Sequence, residues 1–223
     1  MTTWPTSAKV AFVGSHGIRK TTAVHAFANA MQRAGRSVEH GREVVRDNPL
    51  GINESATGEA QLWVIVSQIR QELQLAQNAE VLVLDRGVMD NFAYYLRACG
   101  GEDHFAVGPM VERWSTTYDM VVRLLPDIQL RDDGVRSTND TFRDEIEALL
   151  DTHLPRLVPE RNLVTLSASD IGDRFDWWPL AERLAALMEE PLFAPGVPKR
   201  RSKRVKKPRR EAPQLEMEIE TGR

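Results

Sequence analysis

An α/β domain built on a parallel sheet is expected from this 223-residue chain on three grounds. Short apolar runs alternate with longer segments of helical periodicity, the pattern of strands joined by crossover helices. The first apolar run, Ala8 to Val13, leads through a glycine-bearing loop into a helix-forming segment. Another, Val-Leu-Val-Leu over residues 81 to 84, is apolar at every position, as a strand buried on both faces requires, and stops at a single acid, Asp85.

Taken in order, Ala8 to Val13 forms the first strand. Lys20 to Ala34 forms a helix whose apolar face is Val24, Phe27, Ala28 and Met31, ended by Gly35. Ser37 to Val45 reads as a weaker strand, broken by Arg46-Asp47-Asn48-Pro49. Gly58 to Gln77 is a long amphipathic helix carrying Leu62, Ile65, Val66, Ile69, Leu73 and Ala76, and Glu80 to Leu84 is a central strand. Helix Met110 to Thr117, strand Met120 to Leu125, helix Thr141 to His153, strand Asn162 to Leu166 and helix Pro179 to Glu189 complete the pattern. Right-handed crossovers follow from the parallel arrangement. Residues 1–190 form one domain on this reading, and residues 191–223 a tail.

The formal charge of −3 hides an asymmetry. Residues 199–223 hold ten Lys/Arg against four Asp/Glu, a net +6, which leaves −9 for residues 1–198. Lys199 to Arg210 alone contains nine cations, and acids at 211, 216, 218 and 220 follow. Such a stretch buries too little apolar surface to fold and is expected to be disordered. Contact with nucleic acid or an acidic partner, a localisation signal, and a solvated tail that only aids solubility or folds back on its own acidic domain all fit it. The single cysteine, Cys99, excludes an internal disulfide, and neither an N-terminal apolar leader nor a run of about 18 apolar residues is present. The expectation is a soluble cytoplasmic protein without membrane association, its oligomeric state unwritten in the sequence.

The chemistry concentrates at strand ends. Gly14-Ser15-His16-Gly17-Ile18-Arg19-Lys20-Thr21, followed by Thr22, fits the phosphate-binding pattern G-x-x-x-x-G-K-[ST] except that Arg19 replaces the last glycine. In such a loop backbone N–H groups curl around phosphate oxygens, the lysine reaches them and the hydroxyl ligates Mg²⁺. Glycine suits the places where the chain needs positive φ or has no room for a Cβ, so Arg19 adds a cation at a cost in loop geometry. Asp85 is the metal-facing carboxylate candidate, with a cap on the next helix as the plainer alternative. Arg86 and Asp90 share its rim, where Arg86 would hold a substrate phosphate or hydroxyl or merely start a helix in solvent.

Glu43-x-x-Arg46 follows the second strand; Glu43 would orient or deprotonate an acceptor hydroxyl and Arg46 clamp an anion, unless they form a simple surface ion pair. Asp132-Asp133-Gly134-Val135-Arg136, with Arg143 beyond it, reads as a charged lid whose arginines stabilise a transferring phosphoryl group, or as a solvated loop. His16 and His25 lack metal-ligand spacing, no Cys/His cluster exists, and no serine has a base constellation. Phe175 and Trp177-Trp178 read as a packing anchor.

Together these motifs make residues 8 to 190 resemble the AAA-type P-loop proteins related to nicotinamide riboside kinase and the wider nucleoside and nucleotide kinases. The resemblance implies a three-layer P-loop NTPase sandwich with a five-stranded parallel sheet, order 2-3-1-4-5, and γ-phosphoryl transfer from ATP with Mg²⁺. It assigns the phosphates to Lys20 and the loop amides of residues 14–22, the metal shell to Thr21 and Asp85, the lid side to Arg136 and Arg143, and the acceptor to Glu43, Arg46, Arg86 and Asp90. Two function classes fit: a small-molecule kinase of the nucleoside or nucleotide type, its turnover impaired by Arg19, and a nucleotide-dependent regulatory ATPase that binds nucleic acid or a partner through residues 199–210. The acceptor-side residues favour the first, since a switch needs no second pocket; Arg19 and the tail favour the second.

Overall fold

The computed structural model describes residues 7–129, 139–172 and 174–189. Strand β1, Ala8–Val13, is buried at every position and lies at the centre of the sheet. Successive side chains alternate in direction, so Ala8, Val10 and Phe12 enter one apolar layer while Ala11 and Val13 enter the other. On one side β1 pairs in parallel with β3 (Val81–Asp85), Phe12 opposite Asp85; on the other it pairs with β4 (Met120–Leu125), Val13 opposite Arg123. Edge strands β2 (Val38–Gly41) and β5 (Leu163–Ser167) complete the expected order β2-β3-β1-β4-β5, parallel throughout.

Helices α1 (Lys20–Arg33) and α6 (Trp178–Glu189) cover the Phe12 face. There Phe12, Phe27 and Trp177 meet edge to face, with centroids 5.8, 5.9 and 6.1 Å apart, so Trp177 is the packing anchor its sequence position implies. Trp178 is instead half exposed. Helices α2 (Gly58–Leu75), α3 (Val88–Ala98), α4 (Gly108–Ser115) and α5 (Asp140–Leu157) cover the opposite face around Ile65, Tyr95, Val111 and Leu154, giving three layers. The Thr57 hydroxyl accepts from the Ala60 N–H to start α2, and the Asn139 side chain accepts from the Phe142 N–H to start α5. Among the described residues no helix is long and apolar enough to cross a membrane.

Three elements depart from expectation. The strand anticipated over Ser37 to Val45 stops at Gly41, because Val44–Asp47 tightens into a 3₁₀ turn. The helix expected to end at His153 continues to Leu157 with Pro155 in its last turn, where only one backbone bond is forfeited. Helix α3 is foreseen only as the helix that Asp85 would cap or Arg86 would start, without bounds; Val88, Met89, Asp90, Asn91, Phe92, Ala93, Tyr95 and Leu96 are buried, while Tyr94, Arg97 and Ala98 are partly exposed. Arg136, the Asp132-to-Val135 segment and residues 191–223 lie outside the described residues.

Candidate functional site

The rim where β1 and β3 end gathers the site. Beyond Val13 the chain turns through Gly14 at φ +146°, where a Cβ would stand 2.8 Å from the Leu124 carbonyl oxygen, so only glycine passes. Gly17 and Arg19 also have positive φ, 74° and 60°. Arg19 thus adopts the left-handed conformation that glycine would take, directly before α1. Its exposed side chain donates to the Ile171 carbonyl in the loop after β5 at 2.5 Å. The loop backbone keeps its turn, and the Arg19 cation is engaged by that carbonyl.

Lys20 is buried, and its Nζ donates to the carbonyl oxygens of Gly14, at 3.0 Å, and Ser15. Burial, and then the Arg86 charge, lower its pKa to about 8, against the pull of Asp85. The Thr21 hydroxyl donates to Asp85 Oδ2 at 2.5 Å, which joins the loop to the end of β3. Asp85 is therefore no cap for α3; Asp90 takes that part, its Oδ1 accepting the Gly87 N–H at 2.8 Å. A hydroxyl and a carboxylate are the hard oxygen donors that Mg²⁺ takes from a protein when phosphates and water complete its shell. Among the described residues no group of three or more His, Cys, Asp or Glu could hold a metal ion.

Beside this junction lies a buried charge cluster. Arg86, itself at φ +81°, donates from Nε to Glu43 Oε1 at 2.7 Å, holds Nη1 3.5 Å from Asp90 Oδ2 and lies 4.7 Å over the Tyr94 ring. Burial works against the Arg86 charge, but Tyr94, Glu43 and Asp90 outweigh it and hold the guanidinium protonated beyond its ordinary range. Arg86 is thus no solvated helix-start residue. Arg46 Nε donates to Glu43 Oε2 at 3.3 Å; Glu43 is buried while the Arg46 side chain is 45% exposed, so the pair forms a wall of the site rather than a surface bridge.

A cleft of about 40 Å³ opens here, lined among others by His16, Glu43, Arg46, Arg86, Asn91 and Tyr94. That is far below the roughly 300 Å³ of a small-molecule site, and Ile52 and Asn53 stand with Arg46 in its lining. Asn91 Nδ2 is buried without a hydrogen-bond partner among the described residues.

Of the residues singled out in the sequence, Lys20, Thr21, Asp85, Arg86, Asp90, Glu43 and Arg46 converge. Arg143 donates to the Ile128 carbonyl at 3.1 Å and pairs with Asp140 at 2.9 Å. Sequence reasoning gave no role to Tyr94 and Asn91, on α3, or to the pair Arg123 and Glu147 beneath the loop. A charge inside the apolar run Met-Val-Val-Arg-Leu-Leu was the available clue to the latter.

A family profile described as AAA domain matches residues 9–174. No curated protein sequence matches the chain. Among solved structures it resembles NadR protein in complex with NR, at 19% identity and TM-score 0.59 over 89% of this chain and 54% of that one. NadR protein in complex with NAD and AMP-PNP follows at 15% identity and TM-score 0.53, over 89% and 52%. Thymidylate kinase from Ehrlichia chaffeensis gives 15% identity and TM-score 0.51, over 83% and 99%. The chain thus spans about half the length of the NadR chains, and these likenesses establish a P-loop kinase fold.

Proposed function

On the premise that this chain belongs to the AAA domain family of P-loop proteins, we propose that it is an ATP-dependent small-molecule kinase with a nucleoside- or nucleotide-type acceptor. The observation that carries this reading is that a cleft walled by Glu43, Arg86 and Asn91 adjoins the junction formed by the Thr21–Asp85 contact and buried Lys20. A switch that only sensed nucleotide would need no such cleft. Lys20 and the loop amides would hold the β- and γ-phosphates, and Thr21 and Asp85 would hold Mg²⁺, which when bound neutralises charge on the transferring group. Glu43 would take the proton of the acceptor hydroxyl as its oxygen bonds to the γ-phosphorus and the bond to ADP breaks. Arg86 and Asn91 would orient the acceptor by donating to its oxygens, and Arg136 and Arg143 would supply positive charge from the lid side. Positioning and charge do most of the work in phosphoryl transfer, so misplacement lowers turnover more than binding.

Calorimetric titration of MgATP, with ADP formation followed across a panel of nucleosides and nucleotides, tests the reading. The expected result is binding and phosphorylation of at least one acceptor. Asp85→Asn should lower turnover about 100-fold or more while nucleotide affinity changes far less. Binding with no acceptor phosphorylated would replace the kinase by the nucleotide-dependent regulatory reading.

A further inference from the structure

The first peptide of the phosphate loop is held from both ends. Gly14 C=O and Ser15 N–H belong to one planar unit. Lys20 Nζ donates to the Gly14 oxygen at 3.0 Å, and the Ser15 N–H donates to Glu147 Oε1, on α5, at 3.0 Å. The other Glu147 oxygen accepts from the Arg123 guanidinium of β4, which also donates to the Leu124 carbonyl at 3.2 Å and lies 3.4 Å from Asp151. Arg123 and Glu147 are 4% and 9% exposed, and Arg123 Nη1 lies 3.0 Å from where a Cβ on Gly14 would stand.

We propose that Glu147 is a positioning residue for nucleotide binding: it fixes the Gly14–Ser15 peptide so that Lys20 and the following loop amides stand where phosphate is received. The nucleotide part of this inference rests on the function proposed above. Ser15 lies beyond the end of β1, so its N–H has no strand partner, and Gly14 gives that peptide more rotational freedom than any other residue would. A buried ion pair adds little stability that apolar side chains of similar size would not. What such side chains cannot offer is an acceptor for the Ser15 N–H.

Removing Glu147 alone would leave the buried Arg123 charge with only the exposed Asp151 and endanger folding, so the test compares two double variants. Arg123→Met with Glu147→Gln keeps an acceptor for Ser15 without either charge; Arg123→Met with Glu147→Leu removes the acceptor as well. Asp151→Asn loosens the exposed partner of Arg123 and serves as a control. In the Gln variant and the control, MgATP affinity should stay within about threefold of the parent, and in the Leu variant it should fall about tenfold or more at unchanged melting temperature. Amide exchange supplies a readout that needs no nucleotide. Ser15 should be protected in the parent and Gln variant and exchange about tenfold faster in the Leu variant, with Val10 to Val13 unaffected. Equal Ser15 exchange in both double variants, or tighter MgATP binding in the Leu variant, would overturn the proposal. A parent that fails to bind MgATP would remove the nucleotide reading, while Ser15 exchange still decides whether Glu147 holds the loop.

Discussion

Asp90 sits fully enclosed at the start of α3, where desolvation outweighs the attraction of Arg86 and Lys20 and raises its carboxyl from 3.8 to about 6. The folded chain therefore keeps a proton that the unfolded chain releases, and the stability this contributes is complete below the unfolded value and lost as pH rises through about 6. A shift of that size corresponds to on the order of 2 to 3 kcal/mol. Asp90→Asn keeps an acceptor for the Gly87 N–H and has no titration, so it isolates the effect. Urea unfolding of both proteins from pH 4 to 7 should show parent stability declining by that amount relative to the variant. Lys20 does not intrude, because its lowered pKa of about 8 makes stability rise with pH only above that value. A difference that stays flat across the range would mean that Asp90 is ionised throughout.

The entry to α1 raises the question of what an arginine does where the phosphate-loop pattern has glycine. At φ 60° a residue with a Cβ is disfavoured by roughly 1–2 kcal/mol, but Arg19→Gly gives back about 0.5–1 kcal/mol in chain entropy and loses the bond to the Ile171 carbonyl. Stability should change by less than about 1 kcal/mol, and MgATP affinity by no more than about threefold, since the backbone turn is already made. A rise in turnover beyond about tenfold would show instead that the arginine obstructs the loop. Elements whose apolar residues lie on one side, such as α1, were legible in the sequence, whereas the order of strands came only from the family resemblance. The bounds of α3 were not legible, because its first turn buries the polar Asp90 and Asn91 among apolar neighbours, and the role of Tyr94 was lost with them. Glu43, Arg86 and Asp90 could be picked out because sheets of this kind place their ligands at strand ends. The contact of Glu147 with Ser15 spans 132 residues and leaves no local pattern to read.

Among the described residues all five strands and six helices lie between Ala8 and Glu189, so truncation after residue 190 leaves every one of these elements whole. It does shift the net charge from −3 to −9, since the net +6 of residues 199–223 offsets a body of −9. MgATP is an anion, so that body opposes its approach and the basic segment favours it. At 0.15 M salt the screening length is about 8 Å and such long-range effects fade, whereas at 0.01 M it reaches about 30 Å. The truncated protein should melt within about 2 °C of the parent and bind MgATP within about twofold at 0.15 M salt, with weaker binding emerging only as salt is lowered. Any affinity of the full chain for nucleic acid or another polyanion should fall steeply with salt and vanish on truncation. If MgATP binding at 0.15 M were lost as well, the basic segment would be part of the nucleotide site, and the division at residue 190 would have to be abandoned.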